Sequence, residues 1–379
     1  MSERWLRPWA LALATAIPLS VVYLILQPPS GDLAAATYRS DLFARAGLTL
    51  WDNGWYSGHY LPGYSLLAPA LGALLGNRLL LVLCTVGAAA LFGLVAQRAF
   101  SEASARVAAV SFALGACVTM LSGRVAYGLG LAVGLLALVG LQRGRTSFAL
   151  LLAALASLSS PVAGAFLALA GLAYALAGSM RSGLALAGAA LAPILALTVA
   201  FPEGGWEPFA PSVFWPGLAG VALIALLLPR VASGLTLSAV RALTWGAWLY
   251  ALALIGAFAL HTPVGSNAAR LGALFAAPLV AGALWERRRL VLLALAPALV
   301  YWQLETPLND VSALTGDPSV SASYYAPLLG ELERRAQGAP LRVEVPLTGA
   351  HWEAAYLPGH SSILLARGWE RQLDTRYGA

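Results

Sequence analysis

Long apolar runs broken by short polar connections dominate the chain. After a first run from about Trp9 to Leu26, apolar segments fall near 79–97, 107–122, 125–141, 147–160, 162–178, 183–200, 216–229, 242–260, 271–285 and 290–302. Each approaches the roughly 20 residues that cross a bilayer's hydrocarbon as a helix. The pattern predicts an all-α polytopic membrane protein with about 11–12 transmembrane helices. The first run is longer than the ~7–15 apolar residues of a signal peptide, so it reads as a retained helix. Pro161 splits one apolar stretch into two helices meeting at Ser159-Ser160-Pro161, with a single kinked helix as the alternative. Residues 62–75 are apolar but short, and read as a partly inserted segment, tolerated at membrane depth when buried in protein.

Residues 1–302 thus form a transmembrane domain, with a long loop at 27–64. Residues 303–379 have mixed composition and read as a small α+β segment. Within it, Glu331–Arg335 suggests a short helix, and Leu341–Leu347 alternates as a strand with His351–Leu357 as its partner. The ending at Arg376-Tyr-Gly-Ala has no evident finishing element and reads as a shortened version of a longer domain.

Composition agrees: 59% of the residues are hydrophobic and only 11% charged, against about a quarter in soluble domains. Every basic residue is arginine, in keeping with a GC-rich coding bias, and the net charge is +6. The arginines fall in alternate connections: Arg4 and Arg7; Arg98 and Arg106; Arg143 and Arg145; Arg181; Arg230 and Arg241; Arg287, Arg288 and Arg289. The positive-inside rule assigns that set to the cytoplasm, which puts the N-terminus inside and the loop 27–64 and the C-terminal segment outside the cell membrane. No basic-aromatic tract suits nucleic acid. Cys84 and Cys117 lie inside apolar runs and offer neither a disulfide framework nor metal-ligand spacing. His261, His351 and His360 show no metal-ligand spacing either. No phosphate-binding glycine motif occurs, no cofactor is indicated, and most of the 38 glycines sit in helices, where they allow close packing.

The first loop concentrates the candidate chemistry. Ser40 is a plausible N-cap for a surface helix over 41–50, with Leu42, Phe43, Ala46 and Leu50 as its apolar stripe and Asp41 and Arg45 one turn apart. Trp51, Trp55, Tyr56, Tyr60 and Tyr64 are explained as an interfacial belt, but their concentration with Asp41, Asp52 and His59 suggests a site. Arg124, between two spans, is either a snorkelling residue or an anion ligand, and Arg270 is a second such candidate. Glu203 and Glu207, among Trp206, Phe209, Phe214 and Trp215, are a secondary acidic candidate, with a solvated loop as the favoured reading.

This loop, with its early Asp41, its aromatic cluster and its exit through Leu61-Pro62-Gly63-Tyr64, resembles the GT-C superfamily of polytopic membrane glycosyltransferases. The resemblance has specificity over about 1–180; it lacks an acidic partner beside Asp41 and has Leu-Pro-Gly where many members have a double proline. The stretch Ala366–Asp374 also resembles one in actinobacterial membrane proteins of unassigned activity. The resemblance implies transfer of a sugar from a polyprenyl-phosphate donor to an extracytoplasmic glycan or lipid acceptor of the cell envelope. Asp41 would be the base, Arg124 and Arg270 would hold the phosphate, and Arg45, Asp52, Trp55, Tyr56, His59 and Tyr60 would contact substrate. A transporter or lipid flippase is the rival reading, disfavoured by spans nearly free of charge; a non-catalytic scaffold of the same fold is another.

Overall fold

The computed structural model describes residues 7–359 and 362–377; Arg4 and His360 lie outside them. Helix α1 (Pro8–Leu26) is followed by α2 (Gly31–Ala46), a two-residue antiparallel hairpin of β1 (Trp51–Asp52) and β2 (His59–Tyr60), and the short α3 (Ala68–Leu75). The bundle continues through α4 (Asn77–Ala99), α5 (Glu102–Thr119), α6 (Val125–Gln142), α7 (Thr146–Ser159), α8 (Pro161–Leu176) and α9 (Met180–Ala200). It closes with α10 (Pro211–Val231), α11 (Leu237–Ala259), α12 (Ala269–Leu284) and α13 (Arg289–Leu314). The remaining elements are α14 (Ala322–Ala336), β3 (Leu341–Val343), α15 (Glu353–Tyr356), β4 (Ile363–Leu365) and α16 (Arg371–Tyr377).

Among the described residues, nine helices are long and apolar enough to cross a membrane, and α7 and α8 are shorter apolar helices. The chain is a polytopic helical membrane protein. Exposed leucines such as Leu195, Leu252, Leu290 and Leu293 belong on surfaces that meet lipid. The core lies among α1, α4, α5, α6 and α12, where alanines such as Ala12, Ala16, Ala109 and Ala113 bring the backbones close.

Both ends of the bundle are defined by bonds between connections. At one end, Arg98 donates to the Gln142 carbonyl, and Ser233 N donates to Ala283 O at 2.8 Å. Arg143, Arg145, Arg181 and Arg287–Arg289 all fall at this end. At the other, Ser30 joins Ser122, Leu66 N donates to Leu158 O at 2.9 Å, and Glu207 N donates to Thr262 O at 3.0 Å. The first loop and the C-terminal segment cover that second end as a cap.

Ser160 is extended and its hydroxyl accepts from Ala163 N, so Pro161 starts a new helix rather than kinking an old one. With 14 and 16 residues, α7 and α8 reach only about 21 and 24 Å, short of the ~30 Å hydrocarbon. The 62–75 segment lies against their turn through the Leu66–Leu158 bond. Its helix α3 has eight residues, about 12 Å, and cannot span.

Four expectations change. The first-loop helix starts at Gly31, with Ser30 as its extended N-cap residue, so Ser40 lies inside it and its stripe faces the protein through Tyr38, Arg39 and Ser40. The rest of 27–64 is a hairpin and turns, not further surface helices. The last span continues past 302 to Leu314. Strand Leu341–Val343 pairs in parallel with Ile363–Leu365, while the expected partner contains the helical turn α15, closed by Leu357 N donating to Glu353 O at 3.1 Å.

Close packing of α8 on α9 yields the first prediction. A Cβ on Gly183 would sit 2.4 Å from Ala175 N and 2.6 Å from Gly171 O, whereas one on Gly188 meets nothing within 4 Å. Gly183→Val should destabilise the detergent-solubilised protein by about 2 kcal/mol. Gly188→Val should melt within a degree or two of the parent, and equal losses in the two would refute this packing.

Candidate functional site

A charged cluster forms where the start of α2, the turn before α6 and the end of α13 meet. Ser30 Oγ donates to Ser122 O at 2.6 Å, fixing the entry to α2 against the turn after α5. Gly123 (φ 72°) permits this approach, since a Cβ there would lie 2.2 Å from Ser30 Oγ. Asp32 then falls in the first helical turn, and Arg124, the residue before α6, donates from Nε to Asp32 Oδ2 at 2.9 Å. Arg124 Nη2 lies 3.8 Å from Asp310 Oδ2, which also accepts from Ser122 Oγ at 2.8 Å.

Arg270, in the first turn of α12, lies 5.6 Å from the Tyr127 ring centroid, and its charge reaches Arg124, Asp32 and Tyr64. Among the described residues no carboxylate lies within ion-pair distance of it. Beneath Arg124 a narrow pocket runs into the bundle, lined by Leu81, Cys84, Ala88, Met120, Tyr127 and Leu274. The Tyr127 hydroxyl is buried without a hydrogen-bond partner among the described residues. Chemically, two carboxylates and two guanidinium groups gather here, and Arg124 lines an apolar pocket. That arrangement suits an oxyanion attached to an apolar chain.

The structure brings Arg124 and Arg270 together and adds Asp32 and Asp310, which the sequence did not single out. Asp41 is elsewhere. Nine residues along a helix place it about 13 Å from Asp32 and roughly half a turn around, on the opposite face of α2. Among the described residues, Asp41 makes no hydrogen bond or ion pair, and Arg45 is exposed without one. The overlooked signal was Ser30-Gly31-Asp32 after Pro28-Pro29, an N-cap followed by a first-turn acid.

The expected sugar-stacking aromatics form the interior of the cap. Trp55 is fully buried, stacked between Tyr38 (4.5 Å) and His59 (5.6 Å), with Nε1 donating to Ala354 O at 3.0 Å. Gly368 packs so closely that a Cβ there would lie 2.4 Å from the indole. The Tyr56 hydroxyl donates to Glu370 O at 3.2 Å and accepts from Glu370 N at 3.1 Å. Asp52 accepts from Tyr38 Oη at 2.9 Å and Gly54 N at 2.9 Å, and burial raises its carboxyl above the usual range. Half-buried Tyr60 packs against Trp51 and Phe201. The faces of Trp55 and His59 are occupied by protein, which leaves them no room for a sugar.

Arg39, 3% exposed, forms an ion pair with Glu370 and lies over the rings of Tyr64 (3.9 Å) and Trp55 (5.0 Å). Glu207 is buried rather than solvated: Ser266 Oγ donates to it at 2.7 Å, Arg371 Nη1 lies 3.6 Å away, and burial raises its carboxyl. His261 packs on Trp206 and His351 on Trp369, and no three metal-ligating side chains gather among the described residues. The chain matches no protein-family model, no curated protein and no solved structure.

Burial, followed by the Arg39 charge, lowers His59 from 6.5 to about 3. Below pH 6.5 the unfolded chain takes up a proton at this residue that the folded protein refuses, so stability falls as pH falls towards 3. At pH 5 this loss is on the order of 2 kcal/mol. The melting-temperature advantage of the parent over His59→Gln should therefore shrink between pH 7.5 and 5. A gap constant with pH would show that His59 is not held neutral.

Proposed function

We propose that the chain is a GT-C-like membrane glycosyltransferase, moving a sugar from a polyprenyl-phosphate donor to a glycan or lipid acceptor at the capped end. The observation that carries this reading is the Arg124–Asp32 pair, with the Arg270 charge reaching both and Arg124 itself lining an apolar pocket. A lipid phosphate needs cations at its head and an apolar wall for its chain. An acceptor hydroxyl needs a carboxylate close to the phosphate.

Geometry favours Asp32 over Asp41 as the base. The acceptor oxygen attacks the anomeric carbon as the bond from that carbon to the phosphate oxygen breaks. The bonding pair leaves with the polyprenyl phosphate, stabilised by Arg124 and Arg270, and the hydroxyl proton passes to Asp32. Asp310 holds Arg124 in place from the end of α13. In this reading the arginine-rich end faces the cytoplasm and the cap lies outside the cell membrane.

With the purified protein in proteoliposomes, radiolabelled polyprenyl-phosphate mannose and glucose are offered as donors, with a membrane lipid extract as acceptor. Asp32→Asn should lower transfer about a hundredfold or more, while Asp41→Asn stays within a few-fold of the parent. Arg270→Gln should raise the donor KM. If Asp41→Asn abolishes transfer and Asp32→Asn does not, the base is Asp41. If neither donor binds, the scaffold reading replaces the enzyme.

Orientation is tested separately in a background lacking Cys84 and Cys117. Arg143→Cys should resist an impermeant thiol reagent applied to intact cells, and Arg335→Cys should react. Labelling of both would refute the arrangement.

A further inference from the structure

We propose that a groove between the C-terminal half of α2 and the segment leading into α3 binds a neutral acyl-ester lipid, with an ester carbonyl accepting from Arg39. The groove is lined by Leu42, Phe43, Leu61, Pro62 and Leu66, and Arg39 contributes to its wall. It is separate from the Arg124 pocket, and the inference does not depend on glycosyl transfer.

Three observations carry it. First, Arg39 is 3% exposed, yet among the described residues neither its Nε nor its Nη1 has a hydrogen-bond partner. Tyr64 and Trp55 lie against the flat guanidinium, whose N–H groups point outward in its plane. Buried donors without acceptors are uncommon in a finished fold and call for an oxygen ligand. Second, the Glu370 carboxylate already balances the Arg39 charge, so an anionic head would bring uncompensated charge into a buried place. An uncharged carbonyl satisfies the donors without that penalty. Third, the groove walls are mostly aliphatic and aromatic, with Thr49 and Ser65 beside Arg39 as the polar positions. Exposed Leu48, Leu50 and Trp51 follow directly on α2, in keeping with the depth where glycerolipid esters lie.

The test uses the full chain in phosphatidylcholine nanodiscs containing a few per cent of a diacylglycerol with a diazirine in its acyl chain. After irradiation, labelled peptides are mapped by mass spectrometry. Label should concentrate in 42–49 and 61–69. Thr49→Trp, which fills the groove while leaving Arg39 and Glu370 unsubstituted, should reduce that label at least fivefold while label on α9 and α13 stays constant. The paired change Arg39→Gln with Glu370→Gln, which keeps the site uncharged, should reduce it as well. Unlabelled diacylglycerol should compete and oleate should not. Label spread evenly over the lipid-facing helices, label indifferent to Thr49→Trp, or displacement by oleate in preference to diacylglycerol would each overturn the assignment.

Discussion

A guanidinium at the edge of a membrane must find counter-charge, and Arg124 finds it in two places far apart along the chain. Asp32 comes from the first loop, and Asp310 from the last turns of the final span. The start, middle and end of the transmembrane domain are therefore held at one point. The Ser30–Ser122 and Ser122–Asp310 hydrogen bonds keep the two carboxylates beside the arginine. Removing one partner of such a group leaves a charge in a place where solvation is poor, which is why α2 must begin where it does.

That constraint also determines which chemistry is available. Arg124 is engaged by two carboxylates, while Arg270 faces the same region with an aromatic neighbour and no carboxylate partner among the described residues. In the proposed function, the donor phosphate would meet one arginine that is held in place and one that is open. The aromatic cluster does something different. Tyr38 and His59 both stack on Trp55, which packs against Gly368 of the tail, and together they hold the cap in shape.

Much of the fold was legible in the sequence because spans announce themselves locally. Their order, the break at Ser159-Ser160-Pro161 and the alternate placing of arginines match the two-ended bundle. Their number and lengths do not: nine described helices rather than about 11–12 are long enough to cross, α7 and α8 fall short and the last runs on to Leu314. The cap was less legible because its partnerships are distant. Nothing near Asp32 indicates that Arg124, 92 residues on, will bind it. Asp41 drew attention because it stands among polar residues, but helical geometry turns it to the other face of α2. Likewise, aromatic density in a loop reads alike whether the rings line a site or pack an interior. The pairing of Leu341–Val343 was misjudged because adjacency in sequence favours a hairpin, whereas the actual parallel partner arrives only after α15.

Arg39 and Glu370 are separated by 331 residues. At about 5–20 residues per second of synthesis, Glu370 emerges roughly 15 to 70 seconds after Arg39. For that interval the first loop is outside its final packing, with a cation that has yet to meet its carboxylate and a tryptophan that has yet to meet Gly368. The bundle can insert helix by helix during translation, but the cap closes only when the tail arrives. Assembly of the capped end is therefore a late, chain-length-dependent event, and a nascent chain arrested before the tail carries inserted spans beneath an unclosed surface.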